Sequence, residues 1–581
     1  MLQQLIHTII TSLTCMIWGV PVLLLLSKKS IHPRFWYHSA IGLFAFLFFS
    51  GCIILNFISS WLVLFVPLTF YLSLFLTLLL VLYLVVFERK QIGKIFTGGK
   101  KIYTALSVTE YFYLVIALLL FLVLGSLKPV NNDTQIYHLQ IIKWLSEYGT
   151  VPGIANLSPR FGLGSGWFNL VSFLHIPFFK NEAYSFLNVA FVSWFFLWLF
   201  DKYKFYSEES TSYSSVLSVF YFALFLYFML DWQLFRDAAN STNYDFPVTA
   251  FTVIIISYLL EGIMTEKTDE RFSYVFVLFI CTAVSFKFSG IFILFLAVFY
   301  ILQKKKPIYL FSVAVICILI LVPVLIKNYI ITGYPLYPYP LSVYKPDWQL
   351  PNSLTEGIYR YILNSNRYYN SPFSADPMGS SPFYWVPFWY KGILIQHRII
   401  FFAALAAIFV FFFTKPIGGI NYRELRRLLF FILLMLIGWF FTAPDPGRFG
   451  YGILLPIAFL ALSAFTNKLF KPRFYKTAIF CFSFVLIFYT FLKTSPLRKE
   501  PKYFFATIEG DRPPYKTYYL NGIGIHIPEL INGNWNRRCY DIVLPCSCVE
   551  NPYLQPRGKN LKDGFRMNPY PDSSFVKNYI Y

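Results

Sequence analysis

Long apolar stretches separated by short polar ones extend along almost the whole of this 581-residue chain. Stretches such as 62–87 and 311–326 approach or exceed the roughly 20 apolar residues that a helix needs to cross a bilayer. The pattern predicts an all-α polytopic membrane protein with about fourteen transmembrane helices. The predicted spans are 5–27, 38–58, 62–87, 110–127, 184–200, 214–230, 246–264, 273–286, 289–303, 308–326, 399–414, 428–443, 451–466 and 477–493.

The composition agrees with a membrane protein and excludes an ordinary soluble domain. Apolar residues make up 57% of the chain and charged residues only 13%, whereas an average soluble domain carries about 25% charged residues. The first apolar stretch is long and lacks a small-residue cleavage site, so we interpret it as a retained helix and not as a signal peptide.

Lysine and arginine are distributed unevenly between alternate loops, and this distribution predicts the orientation. The basic set occupies loops near 28–34, 89–101, 202–204, 267–271, 304–306, 415–427 and 468–476, whereas the alternate short loops hold essentially Arg236, Lys287 and Arg448. Basic loops stay in the cytoplasm. Both termini and the segments 128–183, 327–398 and 494–581 are therefore expected on the outer side. The net charge of +21 is explained by topology and predicts no nucleic-acid partner.

The most unusual polar stretch follows the predicted span 110–127. It contains Asn131-Asn132-Asp133, then His138 about a turn later, and then Arg160 among several glycines. A plain connector between membrane helices would not need a carboxylate, an imidazole and a guanidinium together. The alternatives are a helix cap for Asp133 and interfacial packing for His138.

Further charged residues occur on the predicted outward side. Asp245 begins the span 246–264, where it is either a helix cap or a second acidic group of the same cavity. Lys287 lies in a tight outward turn, and Arg448 lies with Asp445 in the sequence Pro-Asp-Pro-Gly-Arg-Phe. Lys287 and Arg448 each either bind a phosphate or contact lipid headgroups. For Arg448, pairing with Asp445 is a further alternative.

Three cysteines cluster in the outward tail. On an oxidising face we expect Cys539 to form a disulfide with Cys546 or Cys548, and the sequence leaves both pairings open. No histidine or fourth cysteine is nearby to complete a zinc site, so no metal site is predicted. The chain also lacks a phosphate-binding P-loop, a Gly-x-Ser-x-Gly nucleophile elbow and a His-Glu-x-x-His zinc motif.

These features resemble the C-type glycosyltransferase superfold (GT-C), and in particular a bacterial branch of it. The resemblance rests on the run from Asn132-Asp133 to Tyr137-His138-Leu139 with Lys143-Trp144 and Pro152-Gly153, on 332–338 and 444–449, and on Pro545-Cys546 and Arg557-Gly558-Lys559. It implies additional N-terminal helices in 1–109, a GT-C-like core in 110–493, and an outward tail in 494–581 that is disulfide-linked. It also implies the bacterial inner membrane as the location.

Activity and site residues follow as implications of this resemblance. The donor would be a sugar on a polyprenyl phosphate, and the acceptor an envelope glycan, lipid or protein. Asp133 would be the catalytic base, and Arg448, Arg160 and Lys287 would hold the phosphate. Asp245 and His138 would position the acceptor, and Asp445 would be a further substrate-binding residue. The motif here is a single Asp preceded by Asn where several relatives carry two acidic residues, so the resemblance implies no firm cofactor and leaves a divalent metal open.

Two other functions fit the same sequence features. A polysaccharide polymerase or ligase would move a whole oligosaccharide with similar phosphate-binding arginines. A transporter of lipid-linked sugars would make no covalent product, but the chain shows no matched pair of broken helices of the kind that such proteins use.

Overall fold

The structure of the protein is a computed structural model. It describes residues 1–27, 39–98, 107–129, 131–178, 184–209, 211, 213–231, 237–265, 270–304, 307–342, 344–368, 383–417, 420–466, 472–505, 513–529, 538–568, 571–572, 575–576 and 579. Arg236 and many of the predicted cytoplasmic lysines and arginines, including those near 28–34 and 468–471, lie outside the described residues.

The described chain is mostly helical. Its α-helices are α1 Leu2–Ser27, α2 Ala40–Leu62, α3 Phe70–Phe87, α4 Arg89–Gly98, α5 Val108–Gly125, α6 Leu139–Glu147, α7 Gly166–Leu174, α8 Phe186–Glu208, α9 Ser214–Leu230, α10 Asp245–Thr265, α11 Glu270–Phe286, α12 Leu294–Lys304, α13 Pro307–Thr332, α14 Asn352–Arg367, α15 Val386–Gly392, α16 Ile395–Phe413, α17 Tyr422–Thr442, α18 Tyr451–Thr466, α19 Pro472–Lys493 and α20 Ser495–Lys499.

Within the described part of the chain, nine helices are long and apolar enough to cross a bilayer, namely α1, α2, α3, α5, α10, α13, α16, α17 and α19. The other predicted spans are also helical but shorter or less apolar. Their crossing of the membrane stays a prediction. The multi-pass helical character expected from the sequence is thus confirmed, whereas the count of fourteen spans is not.

Helix bounds differ from the prediction where the apolar pattern is continuous. The predicted span 62–87 begins only at Phe70, because α2 extends to Leu62 and a turn with Pro67 follows it. Thr69 then caps α3, its hydroxyl accepting a hydrogen bond from the Leu72 N–H at 3.3 Å. The predicted span 289–303 consists of a 3-10 segment, Phe288–Ile293, followed by α12.

Small residues allow α1 and α2 to pack closely. A Cβ at Gly19 would lie 2.0 Å from the Leu47 carbonyl oxygen, and one at Gly51 would lie 1.6 Å from that of Cys15. Any side chain would therefore push the helices apart, which is the reason that membrane helices place small residues at their contacts.

One ion pair joins α8 to α10 inside the helical core. The Lys202 ammonium lies 3.0 Å from Glu261 Oε2, and both side chains are fully buried. The Tyr221 hydroxyl donates a hydrogen bond to Glu261 Oε1 at 2.5 Å, and the Lys202 ammonium lies over the Tyr258 ring at 4.3 Å. These contacts compensate charges that would otherwise be costly to bury.

The C-terminal tail contains the only strands of the described residues. β1 Tyr515–Leu520 pairs antiparallel with β2 Ile523–Pro528, and β3 Leu554–Pro556 pairs antiparallel with β4 Phe565–Met567. The β1–β2 turn is Asn521-Gly522, both with positive φ, which is typical of a tight hairpin.

The tail also contains a disulfide, which joins Cys539 to Cys546. Of the two pairings that the sequence left open, this is the one in the structure. Cys548 stands outside that bond, with its Sγ 3.9 Å from the Ser158 hydroxyl.

Candidate functional site

Asp133 lies at the start of a π-helical turn, Thr134–His138, which joins the end of α5 to α6. Its backbone N–H donates to Asn131 Oδ1 at 2.8 Å. Its carboxylate faces two guanidinium groups, with Arg160 Nη1 4.0 Å from Oδ1 and Arg448 Nη2 3.8 Å from Oδ2. Both distances exceed the roughly 2.7–2.9 Å of a charge-assisted hydrogen bond. The positive charges therefore orient the carboxylate, but its oxygens form no direct hydrogen bond with either guanidinium group.

Arg448 belongs to a second π-helical turn, Pro446–Gly450, directly before α18. Asp445 caps this turn, since its Oδ1 accepts a hydrogen bond from the Arg448 N–H at 3.1 Å. Turns of this kind are rare in proteins as a whole, but where they occur they are frequently found at functional sites. Here one of them follows the candidate carboxylate and the other contains the guanidinium that faces it.

Asp245, the first residue of α10, lies between two cations. Its Oδ1 is 2.5 Å from the Lys287 ammonium and its Oδ2 is 2.8 Å from Arg448 Nε. The Asp245 side chain is only 4% exposed, so these bonds replace its lost hydration. The carboxylate fixes Lys287 and Arg448 beside each other.

The charge states of the cations follow from these neighbours. Asp245 first, and then Asp133 and Asp445, raise the pKa of Arg448 well above its usual value. Burial lowers the pKa of Lys287 to about 8, although Asp245 opposes this shift. Both groups are therefore mainly cationic at neutral pH.

A cavity of about 650 Å³ lies beside these charged residues. Asp133, Arg160, Lys287 and Arg448 line it, and the contacts of Asp133 and Asp245 join them into one charged cluster. Much of the remaining wall comes from α11, the 3-10 segment after it, α13, α14 and the loop 336–339. This part of the wall is largely apolar and aromatic and includes Phe286, Phe288, Ile291, Phe292, Val324, Leu336, Tyr337, Tyr339, Ile358, Tyr359, Tyr361, Ile362 and Leu363.

Not every residue that the sequence singled out reaches this cavity. His138 is buried behind it, with Nδ1 3.0 Å from the Thr242 hydroxyl and its ring against Tyr137, Phe168 and Tyr244. Burial lowers the pKa of His138 to about 4, so it is a neutral packing residue at physiological pH. The structure gives His138 no direct contact with the cavity, in contrast to the role in acceptor positioning that the resemblance implied.

Several residues that line the cavity or contact its charged groups were not predicted from the sequence. The Arg160 guanidinium lies 5.0 Å from the centre of the Tyr361 ring, and the Lys287 ammonium 5.1 Å from that of Tyr244. Asn328 donates through Nδ2 to the Pro335 carbonyl at 3.2 Å, while its buried Oδ1 has no hydrogen-bond partner among the described residues. Tyrosines are too common in this chain to be recognised singly, and a lone asparagine in a span gives no signal.

The described residues contain no group of three or more His, Cys, Asp or Glu side chains placed to hold a metal ion. The aspartates close to the cavity are each directed at cations or at backbone N–H groups. The arrangement can bind an anionic group and can accept a proton beside it.

Together, the helices and the site define a multi-pass helical protein with a partly apolar cavity that Arg160, Lys287 and Arg448 line with positive charge. Residues 1–455 match the family described as a domain of unknown function (DUF8201), and the chain belongs to that family. The match includes every charged residue of the cavity and ends before the C-terminal tail. No curated protein and no solved structure matches the chain.

Proposed function

We propose that this protein is a membrane glycosyltransferase of the GT-C type. It would move a sugar from a polyprenyl-phosphate donor to an envelope glycan, lipid or protein on the outer face of a bacterial inner membrane. The observation that carries the proposal is the carboxylate of Asp133 facing Arg160 and Arg448 in the lining of a cavity whose other walls are largely apolar. An amphiphile with an anionic headgroup fits such a cavity in both parts.

The reaction follows from the roles that these groups can take. The acceptor hydroxyl attacks the anomeric carbon of the sugar and gives its proton to Asp133. The bond from that carbon to the phosphate oxygen breaks, and its electron pair leaves with the lipid phosphate. A positioned general base contributes typically 10²–10⁴-fold in rate. A phosphate is already a good leaving group, so no general acid is needed, and attack from the opposite side inverts the configuration.

The cations stabilise the departing phosphate. Arg448 and Lys287 are held by Asp245 at fixed positions, and Arg160 lies on the other side of Asp133. Such preorganised charges need not reorganise as negative charge develops, which is the usual source of electrostatic catalysis. Asp245 serves this chemistry by placing the cations.

A deletion strain provides the test. Loss of the transferase should cause a lipid-linked saccharide to accumulate, as measured by mass spectrometry of extracted lipids. Wild-type protein should remove this intermediate and Asp133→Asn should not. Asp347→Asn is the matched control, because Asp347 pairs with Arg557 outside the cavity. Full rescue by Asp133→Asn would show that the assigned base is wrong.

The mass of the accumulated lipid separates the competing functions. A donor with one sugar supports the proposed transferase, whereas an intact oligosaccharide on the lipid indicates a polymerase or ligase. For a transporter, labelled lipid-linked sugar would cross proteoliposome membranes without any covalent product.

A further inference from the structure

We propose that residues 538–548 of the C-terminal tail, here called the disulfide loop, are a positioning element for Asp133. Arg538 and the backbone of Tyr540 hold the π-helical turn that presents the catalytic carboxylate. The inference rests on the proposed function for the meaning of Asp133. It goes beyond that function because it assigns a role in the site to a segment outside the residues that define the family.

Arg538 bridges the residues on either side of Asp133. Its Nη2 donates to Asn132 Oδ1 at 2.8 Å and its Nη1 donates to Gln135 Oε1 at 3.0 Å. The guanidinium is planar and rigid, so two bonds from its separate nitrogens fix the spacing of the two acceptors. Asp133 lies between them and inherits this constraint.

The backbone of the disulfide loop contacts the same turn. The Tyr540 N–H donates to the Gln135 carbonyl at 2.8 Å, which belongs to the π-helical turn. In return, the buried Gln140 side chain donates to the carbonyls of Tyr540 and Ile542 at 3.2 and 2.8 Å. Tyr540 has a φ of 42°, a left-handed conformation that a non-glycine residue keeps only when its surroundings enforce it.

The disulfide closes the loop around these contacts. Cys539 and Cys546 pack with Ile542 in a small buried cluster. The Lys143 side chain forms an ion pair with Asp541 and also donates to its carbonyl at 2.9 Å. The segment between the two cysteines contains no regular helix or strand. Its shape is defined by the covalent bond, by the contacts with α6 and by backbone hydrogen bonds of Pro545 and Ser547 with His526 of β2.

The disulfide loop and the adjoining tail also contact the segment that leads to Arg160. The Ser547 hydroxyl donates to the Leu157 carbonyl at 2.8 Å, and the Tyr579 hydroxyl donates to the same carbonyl at 2.5 Å. One unit therefore touches both segments whose charged groups meet in the cavity. The tail therefore helps to set the separation of Asp133 from Arg160. A displacement of about 1 Å between such groups can cost 10²-fold in rate.

The test compares two tail arginines in the full chain. Arg538→Met removes the bridge at Asp133, whereas Arg557→Met removes the pair that joins another part of the tail to Asp347 in the segment 327–398. Hydrogen exchange of purified protein should become at least about tenfold faster in residues 132–140 of Arg538→Met, the equivalent of one hydrogen bond to a charged group. Exchange there should be unchanged in Arg557→Met.

Function is read in the deletion strain, from the amount of accumulated lipid-linked saccharide. Arg538→Met should leave most of it in place, Arg538→Lys should remove part of it, and Arg557→Met should remove it as the wild type does. If Arg538→Met does not accumulate as folded protein, Asn132→Ala takes its place. Asn132 is exposed, and its replacement removes one acceptor of the same bridge. Wild-type exchange and full rescue in Arg538→Met, or in Asn132→Ala where it replaces that variant, would overturn the proposal.

The two readouts separate this inference from the proposed function. Full rescue by Asp133→Asn refutes the assigned base, but the exchange measurement still decides whether the disulfide loop holds the turn.

Reduction of the purified wild type with a phosphine provides a second perturbation, and it should speed exchange in the same residues. Unchanged exchange after complete reduction would show that the disulfide has no part in positioning.

Discussion

Replacing Asp245 by asparagine removes the negative charge between two cations of the cavity while preserving the size of the side chain. Each carboxylate oxygen now accepts from a different cation, Lys287 at 2.5 Å and Arg448 at 2.8 Å. An asparagine has one oxygen and one NH₂ group, so one cation would face a donor in place of an acceptor.

The cost can be estimated from burial. Removing one partner of a buried ion pair destabilises a protein by roughly 3–5 kcal/mol. Asp245 is nearly inaccessible, but the Arg448 side chain is 46% exposed and water can solvate part of its charge. We therefore expect Asp245→Asn to lower the free energy of unfolding by about 3 kcal/mol, at the lower end of this range.

Asp133→Asn is the informative comparison, because it makes the same chemical change in a different setting. The Asp133 side chain is 29% exposed and its two arginine contacts are 3.8 and 4.0 Å long. Such partly exposed, long pairs contribute at most about 1 kcal/mol. The loss of a general base, in contrast, should reduce the transfer rate by about 10²–10⁴-fold, which corresponds to roughly 3–5 kcal/mol in the activation free energy.

The assay combines thermal unfolding in detergent with rescue of the deletion strain. Asp245→Asn should show a clearly lower unfolding midpoint, whereas Asp133→Asn should unfold like the wild type and yet fail to rescue. Asp347→Asn, at an exposed pair, should behave as wild type in both. Equal losses of stability in Asp133→Asn and Asp245→Asn would refute the reasoning, because Asp133 would then be a structural partner of the arginines.

Three further outcomes test other parts of the structure. Burial lowers the pKa of His138 to about 4 from an unfolded value near 6.5. The neutral imidazole therefore contributes fully to stability above pH 6.5, and this contribution falls by at most about 3 kcal/mol as the pH drops towards 4. Unfolding midpoints across this range should fall less in His138→Gln than in the wild type, and equal slopes would contradict the assignment. Gly153→Ala would place a Cβ 2.0 Å from a carbonyl oxygen of the tail at a φ of +65°, so it should destabilise by about 2–4 kcal/mol, whereas Gly93→Ala, with nothing within 4 Å, should not. Lys202→Met leaves Glu261 buried without its cation and should cost about 3–5 kcal/mol; adding Glu261→Leu should restore most of this, and failure to do so would show that the pair is not the source of the loss.

The charged residues of the cavity were partly predictable. Arg448 and Lys287 are cations on the side where positive-inside sorting leaves few of them, and Asp133 is an acidic residue in an unusually polar stretch. These are departures from composition, and composition can be read along the chain. The partnership of Asp245 with both cations was not predictable, because it joins segments that are distant in sequence.

His138 shows the opposite case. The sequence places it one turn after Asp133, and a residue on the same turn is a reasonable candidate for the same cavity. The π-helical turn changes the angular spacing of its residues, and the imidazole instead lies against Thr242 and Phe168. No periodicity of apolar residues indicates a π-helical turn, so only the tertiary structure reveals this placement of the imidazole.

The sequence by itself determined that the chain is helical and multi-pass, because the apolar length of each segment is a local property that the bilayer imposes. It also indicated that acidic and basic groups gather on one side, because loop charge is local as well. Only the tertiary structure decided which of these groups meet, that Asp245 pairs with two cations, and that the C-terminal tail contacts the Asp133 turn. Such contacts depend on the relative placement of distant segments, and the packing of the whole chain sets that placement.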